Sequence, residues 1–282
     1  MPSLKEIKGR IGSVRSTLKI TSAMKLVASA KLRKAQSAIE NLLPYEQGLR
    51  SILAGVGGLP AAASRASGGK TVLVAFASNS SLCGGFNANV IREARARVRE
   101  LAAQGRQVVV ISVGRRMADA MAKAGYPSPQ DLTRLSGKPE YDGAKALAES
   151  LRAGFERGEY ESVELIWNHF VSSASQKVTR EPYLPMALGV QAQEAEAADA
   201  PIVEPAREEV LAALVPKVLN LKIYAVLLDS AAAEHAARTV AMQTATDNGD
   251  KVLQELTLEY NKGRQQKITS EILDLVGGQQ ES

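Results

Sequence analysis

From Leu4 the apolar positions advance in alternating steps of three and four, through Leu4, Ile7, Ile11, Val14, Leu18, Thr21, Lys25, Ala28, Leu32, Ala35, Ile39 and Leu42. That alternation is the heptad seam of a coiled coil, interrupted in its middle by the polar Thr21 and Lys25. A helix carried on to about Val56 would reach roughly 75 to 80 Å, longer than a small domain is wide, so it must protrude or lie against another long element. A second long helix is predicted from near Arg207. Its helical spacing includes Leu211, Leu214, Val218, Leu221, Val226, Val240, Thr244, Val252, Leu256, Tyr260, Ile268, Ile272 and Leu275. Pro216 is placed to kink it early, and after that only Gly249 and Gly263 interrupt it.

Between the two helices the pattern changes. "GVGGLPAAASRASGG", residues 55–69, has the composition of a linker. "TVLVAFAS" and "QVVVISVG" are short apolar runs of buried-strand type, separated by a helical stretch from Ala88 to Gln104 and followed by another from Arg115 to Ala124. A further helix over Asp142–Glu156 precedes "SVELIWNHFVS" and "QKVTREPYLPM", which read as a pair of strands closing the sheet. Strand and helix in alternation imply a parallel α/β sheet. Gln191–Pro205 is acidic, rich in Ala and interrupted by two prolines, as in a loop.

The expected fold class is therefore α/β, with a long antiparallel coiled coil of N- and C-terminal helices, 1–57 and 207–276, and a central Rossmann-like α/β domain, 70–190. Two helices that individually lack a full apolar face are explained by packing on each other. They run antiparallel because the domain between them returns the chain. Charge agrees with this pairing. Residues 1–34 carry nine basic residues against Glu6 alone, a balance of +8, whereas Glu234–Val276 carries five against seven acids, a balance of −2.

The overall charge of +5 and pI near 9.2 admit nucleic acid, anionic lipid or an acidic protein surface as partner. One cysteine, Cys83, allows no internal disulfide, and that points to a reducing compartment. No uninterrupted apolar run approaches the roughly 20 residues of a membrane helix, so membrane association is expected to be peripheral. The absence of a transit peptide points to a bacterial protein.

Candidate chemistry is sparse. "SRASGGKT", Ser64–Thr71, approximates a phosphate-binding loop, but Ser64 stands at the first glycine position and the segment precedes a strand instead of a helix. "SLCGGF", Ser81–Phe86, follows the first central strand, where open sheets hold ligands. Cys83 there is either a nucleophile beside the backbone NH groups of Gly84 and Gly85 or a buried thiol at a tight turn. Only His169 and His235 could serve as its base, and neither is paired with it by sequence; the buried thiol is the better reading. No catalytic group, cofactor or metal ligand set is expected. The basic run at the N-terminus alternates with a coiled-coil seam and has no aromatic residue before Tyr45, which argues against nucleic acid.

Three blocks carry a resemblance. "ITSAMKLVASAKLRKAQ", Ile20–Gln36, and "AARTVAMQTATDNGDKVLQELTLEYNKGRQQKITSEILDLV", Ala236–Val276, resemble the terminal signatures of the gamma subunit of F-type ATP synthase, and "SLCGGFNANV" resembles that family's central marker. The resemblance implies a rotor shaft with no active site of its own. It would lie inside a ring of three alpha and three beta subunits, with epsilon and the membrane ring of c subunits as further partners, at the cytoplasmic face of the bacterial membrane. It also implies that Lys25, beside Met24, faces an acidic lever of beta, that Arg264, Gln265, Thr269 and Glu271 touch the loops of the ring, and that Arg238 and Gln243 occupy other patterned positions. The plain alternative for each is a solvated residue or an intrahelical pair such as Lys267 with Glu271. "SNSS", Ser78–Ser81, stands where that family usually carries charged residues, and Leu26 where methionine is common. No insertion near Cys83 suggests a thiol switch. A small-molecule enzyme built on the central sheet and a basic nucleic-acid scaffold are the competing readings.

Overall fold

A computed structural model describes residues 3–56, 69–185, 204 and 206–278. Most of the expected linker, residues 57–68, and the acidic stretch up to residue 203 lie outside the described residues, as does most of "SRASGGKT". By its contacts the chain divides into one unit of Met1–Ala28 with Thr239–Ser282 and a second of Ser29–Arg238. Both boundaries fall inside long helices: α1, Leu4–Gly55, and α6, Arg207–Gly278. Pro44 and Pro216 both lie within these helices without ending them.

The larger unit is built on a four-stranded sheet of order β2-β1-β3-β4, with β1 Lys70–Phe76, β2 Val108–Val113, β3 Tyr160–Phe170 and β4 Gln176–Leu184. β1 pairs in parallel with both β2 and β3, and β4 closes the sheet antiparallel to β3, so the sheet is mixed. From Thr71 onward β1 is buried on both faces, which is why it reads as an unbroken apolar run. Val72, Val74 and Phe76 face a core completed by α5, Tyr141–Glu156, and by Leu219, Ile223, Val226 and Leu227 of α6. Leu73 and Ala75 face α2, Phe86–Ala103, and α3, Arg115–Ala122. A short α4, Thr133–Gly137, was not apparent in the hydrophobic pattern. Arg97 on α2 grips Glu164 of β3 with two guanidinium nitrogens, tying helix to sheet.

The apolar part of α6 reaches the mean hydropathy of a membrane span even though charged residues interrupt it. Here its buried residues cover the sheet. In this unit α1 packs on α6 through Leu32 and Ala35 against Ala232 and Ala236, and further along through Leu49 against Leu214 and Leu221. Rising residue number on one helix meets falling number on the other, so the pair is antiparallel.

In the smaller unit α1 opens with a capping box. The Glu6 amide donates to Ser3 Oγ at 3.2 Å and the Ser3 amide donates to Glu6 Oε2 at 2.8 Å. Every predicted seam position of α1 up to Ala28, including Thr21 and Lys25, is buried or half-buried. The seam of α6 differs from the expected one. Met242, Thr246, Gly249, Leu253, Leu256, Tyr260 and Gly263 form a shielded line at strict four-three spacing, flanked by half-buried Ala241 and Thr257, whereas Val240, Thr244, Val252, Ile268 and Ile272 are exposed. Two glycines and a threonine conceal the seam from any count of apolar residues. Leu18 lies over Gly249 and Leu4 over Gly263: a methyl group added there would stand 2.7 Å and 3.1 Å from the leucine Cδ2 atoms. The glycines are thus sockets for leucine knobs, not interruptions.

Gly249→Leu should therefore lower stability by about 1–3 kcal/mol through overpacking. Gly12→Ala, where nothing lies within 4 Å, should raise it by about 0.5–1 kcal/mol through helix propensity alone. Urea unfolding followed by circular dichroism checks both; equal effects would contradict the socket assignment.

Candidate functional site

The eight residues singled out by resemblance fall into three structural settings. Lys25 and Gln243 meet each other: Lys25 Nζ donates to Gln243 Oε1 at 2.8 Å, and Gln243 Nε2 donates to Asp247 Oδ1 at 2.7 Å. One turn away, the hydroxyls of Thr21 and Thr246 lie 2.9 Å apart. The two polar breaks in the α1 seam are thereby paired across the coil by polar partners. Such pairs fix register at the expense of apolar contact. Met24 is half-buried and continues a line along α1 with Ile20 and Val27, which are exposed.

Arg264, Gln265, Thr269 and Glu271 are all exposed on α6. At about 100° per residue they span an arc of roughly 160°, centred opposite the face where Gly263 receives Leu4. Glu271 also meets Lys267 at 3.7 Å, the intrahelical pair expected as the alternative. Ile268 and Ile272 lie within the same arc at 47% and 55% exposure. Their expected place in the seam is corrected here for a simple reason. They stand about 140° and about 180° around the helix from Gly263, the socket that receives Leu4, so they face away from α1.

Arg238 differs from the rest: it is 8% exposed. Its guanidinium donates to the Ser81 carbonyl, to Ser80 Oγ at 2.9 Å and to Glu234 Oε1 at 2.7 Å. The β1–α2 turn it holds is fully organised by its own polar groups. The Ser78 amide donates to Asn87 Oδ1 at 3.0 Å, Asn87 Nδ2 donates to the Ser80 carbonyl at 3.2 Å, and Asn79 bridges the Thr133 carbonyl and the Arg115 amide. The turn also requires Leu82 at φ 65° and Gly84 at φ 58°, both in the left-handed region.

Cys83 lies under this turn at 1% exposure, 3.2 Å from Asn87 Nδ2. Burial pushes its thiol up, outweighing the Arg238 charge that pulls it down, which is the opposite of nucleophile activation. Neither histidine serves it: His169 Nδ1 is 2.7 Å from Asp229 Oδ2, and His235 sits on the buried flank of α6. The ligand edge beyond β1 is filled by the Arg238 guanidinium. An open cleft beside α3, lined by Ser112, Arg115, Asp119, Ser128, Asp131 and Thr133, joins the Thr133 hydroxyl to Asp131 Oδ1 at 2.5 Å and has no histidine or cysteine in its lining. Among the described residues no three His, Cys, Asp or Glu side chains cluster as metal ligands.

The charges around Arg238 are held in tension. Burial pushes the Glu234 carboxyl up more than Arg238 and Lys31 pull it down. Burial also lowers His235, to about 4, with Lys31 and Arg238 adding to the effect.

A family model described as ATP synthase matches residues 3–280. The protein called ATP synthase gamma chain from Phocaeicola vulgatus is 49% identical over 286 residues, covering 99% of each chain. The protein of that name from Bacteroides thetaiotaomicron is 47% identical with the same coverage. The one from Flavobacterium johnsoniae is 41% identical, covering 99% of this chain and 98% of its own. Among solved structures, a chain of the central stalk and c-ring of Tetrahymena thermophila mitochondrial ATP synthase matches with TM-score 0.56 and 26% identity, over 80% of this chain and 99% of that one. A rotor chain of Euglena gracilis mitochondrial ATP synthase matches with TM-score 0.63 over 94% and 98%, at 16% identity that speaks to fold alone.

Two outcomes follow from the charge cluster. Arg238→Met should cost about 3–5 kcal/mol of stability by stranding Glu234 and the Ser80–Ser81 acceptors, and Arg238→Lys should recover only part because it lacks the planar fork. Chemical denaturation of both variants checks this. His235, lowered in the folded chain, favours folding fully above about pH 6.5 and loses that contribution as pH falls towards 4. Glu234, raised, contributes the opposite slope. The midpoint of wild type should therefore fall more than that of His235→Gln between pH 6.5 and 4.5, since only the histidine contribution is removed.

Proposed function

The chain belongs to the ATP synthase gamma-chain family, and from that premise we propose that it works as the rotor shaft of its complex, turning inside a ring of alpha and beta subunits. As a gamma chain it is part of a membrane-associated F-type complex, which couples ion transport to ATP synthesis and hydrolysis. The reading is carried by one observation: beyond Gly263, α6 holds Arg264, Gln265, Thr269 and Glu271, with Ile268 and Ile272 between them, exposed on the face turned away from Leu4.

Residues 1–57 and 207–276 serve as the paired shaft, and 70–190 as the domain that meets epsilon and the ring of c subunits at the cytoplasmic face of the membrane. Catalysis resides in the beta subunits, and this chain contributes asymmetry of surface instead of an active site. A shaft must be stiff along its axis and bind no angular position deeply. The coil supplies the first. The second is served by the outward arc, where charged and amide groups dilute the apolar ones and make each contact modest. Met24, Lys25 and Gln243 belong to the ring-facing set, with Lys25 and Gln243 also joined to each other. Arg238 belongs to the same set and also acts from inside, as the anchor of the β1–α2 turn.

Mixing the purified chain with alpha and beta subunits tests the reading. One copy per three alpha and three beta, with ATPase activity dependent on its presence, is the expected result. Replacing Arg264, Gln265, Thr269 and Glu271 together by alanine should weaken association or activation several-fold. No association of the wild-type chain would overturn the proposal.

A further inference from the structure

β3 pairs with β1 only as far as Ile166, opposite Ala75, yet continues with β4 to Phe170, opposite Gln176. The end of this hairpin has therefore lost its neighbour on one side of the sheet. What holds it is α6. Asp229 sits in the apolar stretch of that helix, between Leu228 and Ser230, with its side chain 18% exposed. A carboxylate there is costly unless satisfied. Among the described residues the donors it receives come from the projecting end of β3: Trp167 Nε1 at 2.7 Å, the Phe170 amide at 2.9 Å and His169 Nδ1 at 2.7 Å.

Two further contacts complete the attachment. Phe170 packs against two clusters, one that joins α1 to α6 through Leu32, Ala35, Ala232 and Ala236 and one that joins Cys83 and Phe86 to Ala233 and Ala237 of α6. Asn168 Nδ2 donates to the Phe86 carbonyl at 3.0 Å. The hairpin end thus grips both long helices and the start of α2 at once. Lys222, one face over, stacks 5.5 Å above the Trp167 ring and pairs with Glu181 of β4, extending the same attachment along the strand.

We propose that the β3–β4 hairpin end is the joint through which the sheet domain and the shaft helices turn as one body, with Asp229 and Phe170 as its positioning residues. The inference rests on the rotor reading. Apolar packing between a sheet and an alanine-rich helix resists separation, but it is non-directional and tolerates sliding. A carboxylate with three donors at fixed angles resists the sliding that torque would cause. Loosening the joint should leave the catalytic ring intact while letting the sheet domain lag behind the shaft.

The test is made on the assembled complex in membrane vesicles, comparing ATP hydrolysis with ATP-driven proton pumping for Asp229→Asn, Asp229→Ala and Phe170→Leu. Leu147→Ala, in the sheet core away from the joint, is the control for mere destabilisation. The joint predicts that pumping per ATP hydrolysed falls about threefold or more in Asp229→Ala and Phe170→Leu, less in Asp229→Asn, and stays at the wild-type ratio in Leu147→Ala. If hydrolysis and pumping fall together, in proportion to the amount of complex assembled, the proposal is overturned and these residues serve stability alone. A wild-type chain that neither assembles nor supports ATPase activity would instead overturn the rotor reading.

Discussion

The contact on which the smaller unit depends is leucine against glycine. Leu18 over Gly249 and Leu4 over Gly263 set how near the helices approach and which residues face one another. Shift the pairing by a heptad, and Leu18 would meet Met242 or Leu256 instead of a socket. The Thr21–Thr246 and Lys25–Gln243 pairs would be lost in the same movement. Register is therefore specified by shape and by polar complementarity together, in a seam whose apolar content is too low to specify it by burial.

The same economy appears where α6 crosses the sheet. Its face there is largely alanine, leucine and valine, which adhere but do not locate. Location comes from a few polar groups placed in that apolar surface: Asp229 for the end of β3, Arg238 for the turn after β1 and Lys222 for the edge strand. Each is satisfied by groups from an element distant in sequence. Removing one would strand its partners, which makes these residues sensitive through the fold of this chain alone.

Much of this was legible in the sequence. The α1 seam, the elements of the sheet domain and the antiparallel return of α6 follow from period and composition. The α6 seam was not legible, because Gly249, Gly263 and Thr246 carry no hydrophobic signal and their role exists only opposite Leu18, Leu4 and Thr21. Ile268 and Ile272 were misplaced for the converse reason: their spacing is helical, but they lie on the face of α6 turned away from Leu4. Arg238 stood out by resemblance, yet its burial under the Ser80–Ser81 turn depends on a fold that no local pattern encodes. The capping box at Ser3 and Glu6 was available from spacing alone and is a signal the heptad count overlooked. Asp229 could have been noticed as an acid in an apolar run, but its partners could not.

The exposed end of α6 has a thermodynamic consequence. From Arg264 to Gly278 the helix is about four turns long, a length at which isolated helices are marginal in water. Arg264, Gln265, Ile268, Thr269 and Ile272 are exposed, so their side chains keep a rotamer freedom that is surrendered when another chain surrounds them. Any affinity for that chain is reduced by this ordering, and a contact of large area is left weak enough to be released. On the rotor reading, the entropy of this exposed stretch works as a lubricant.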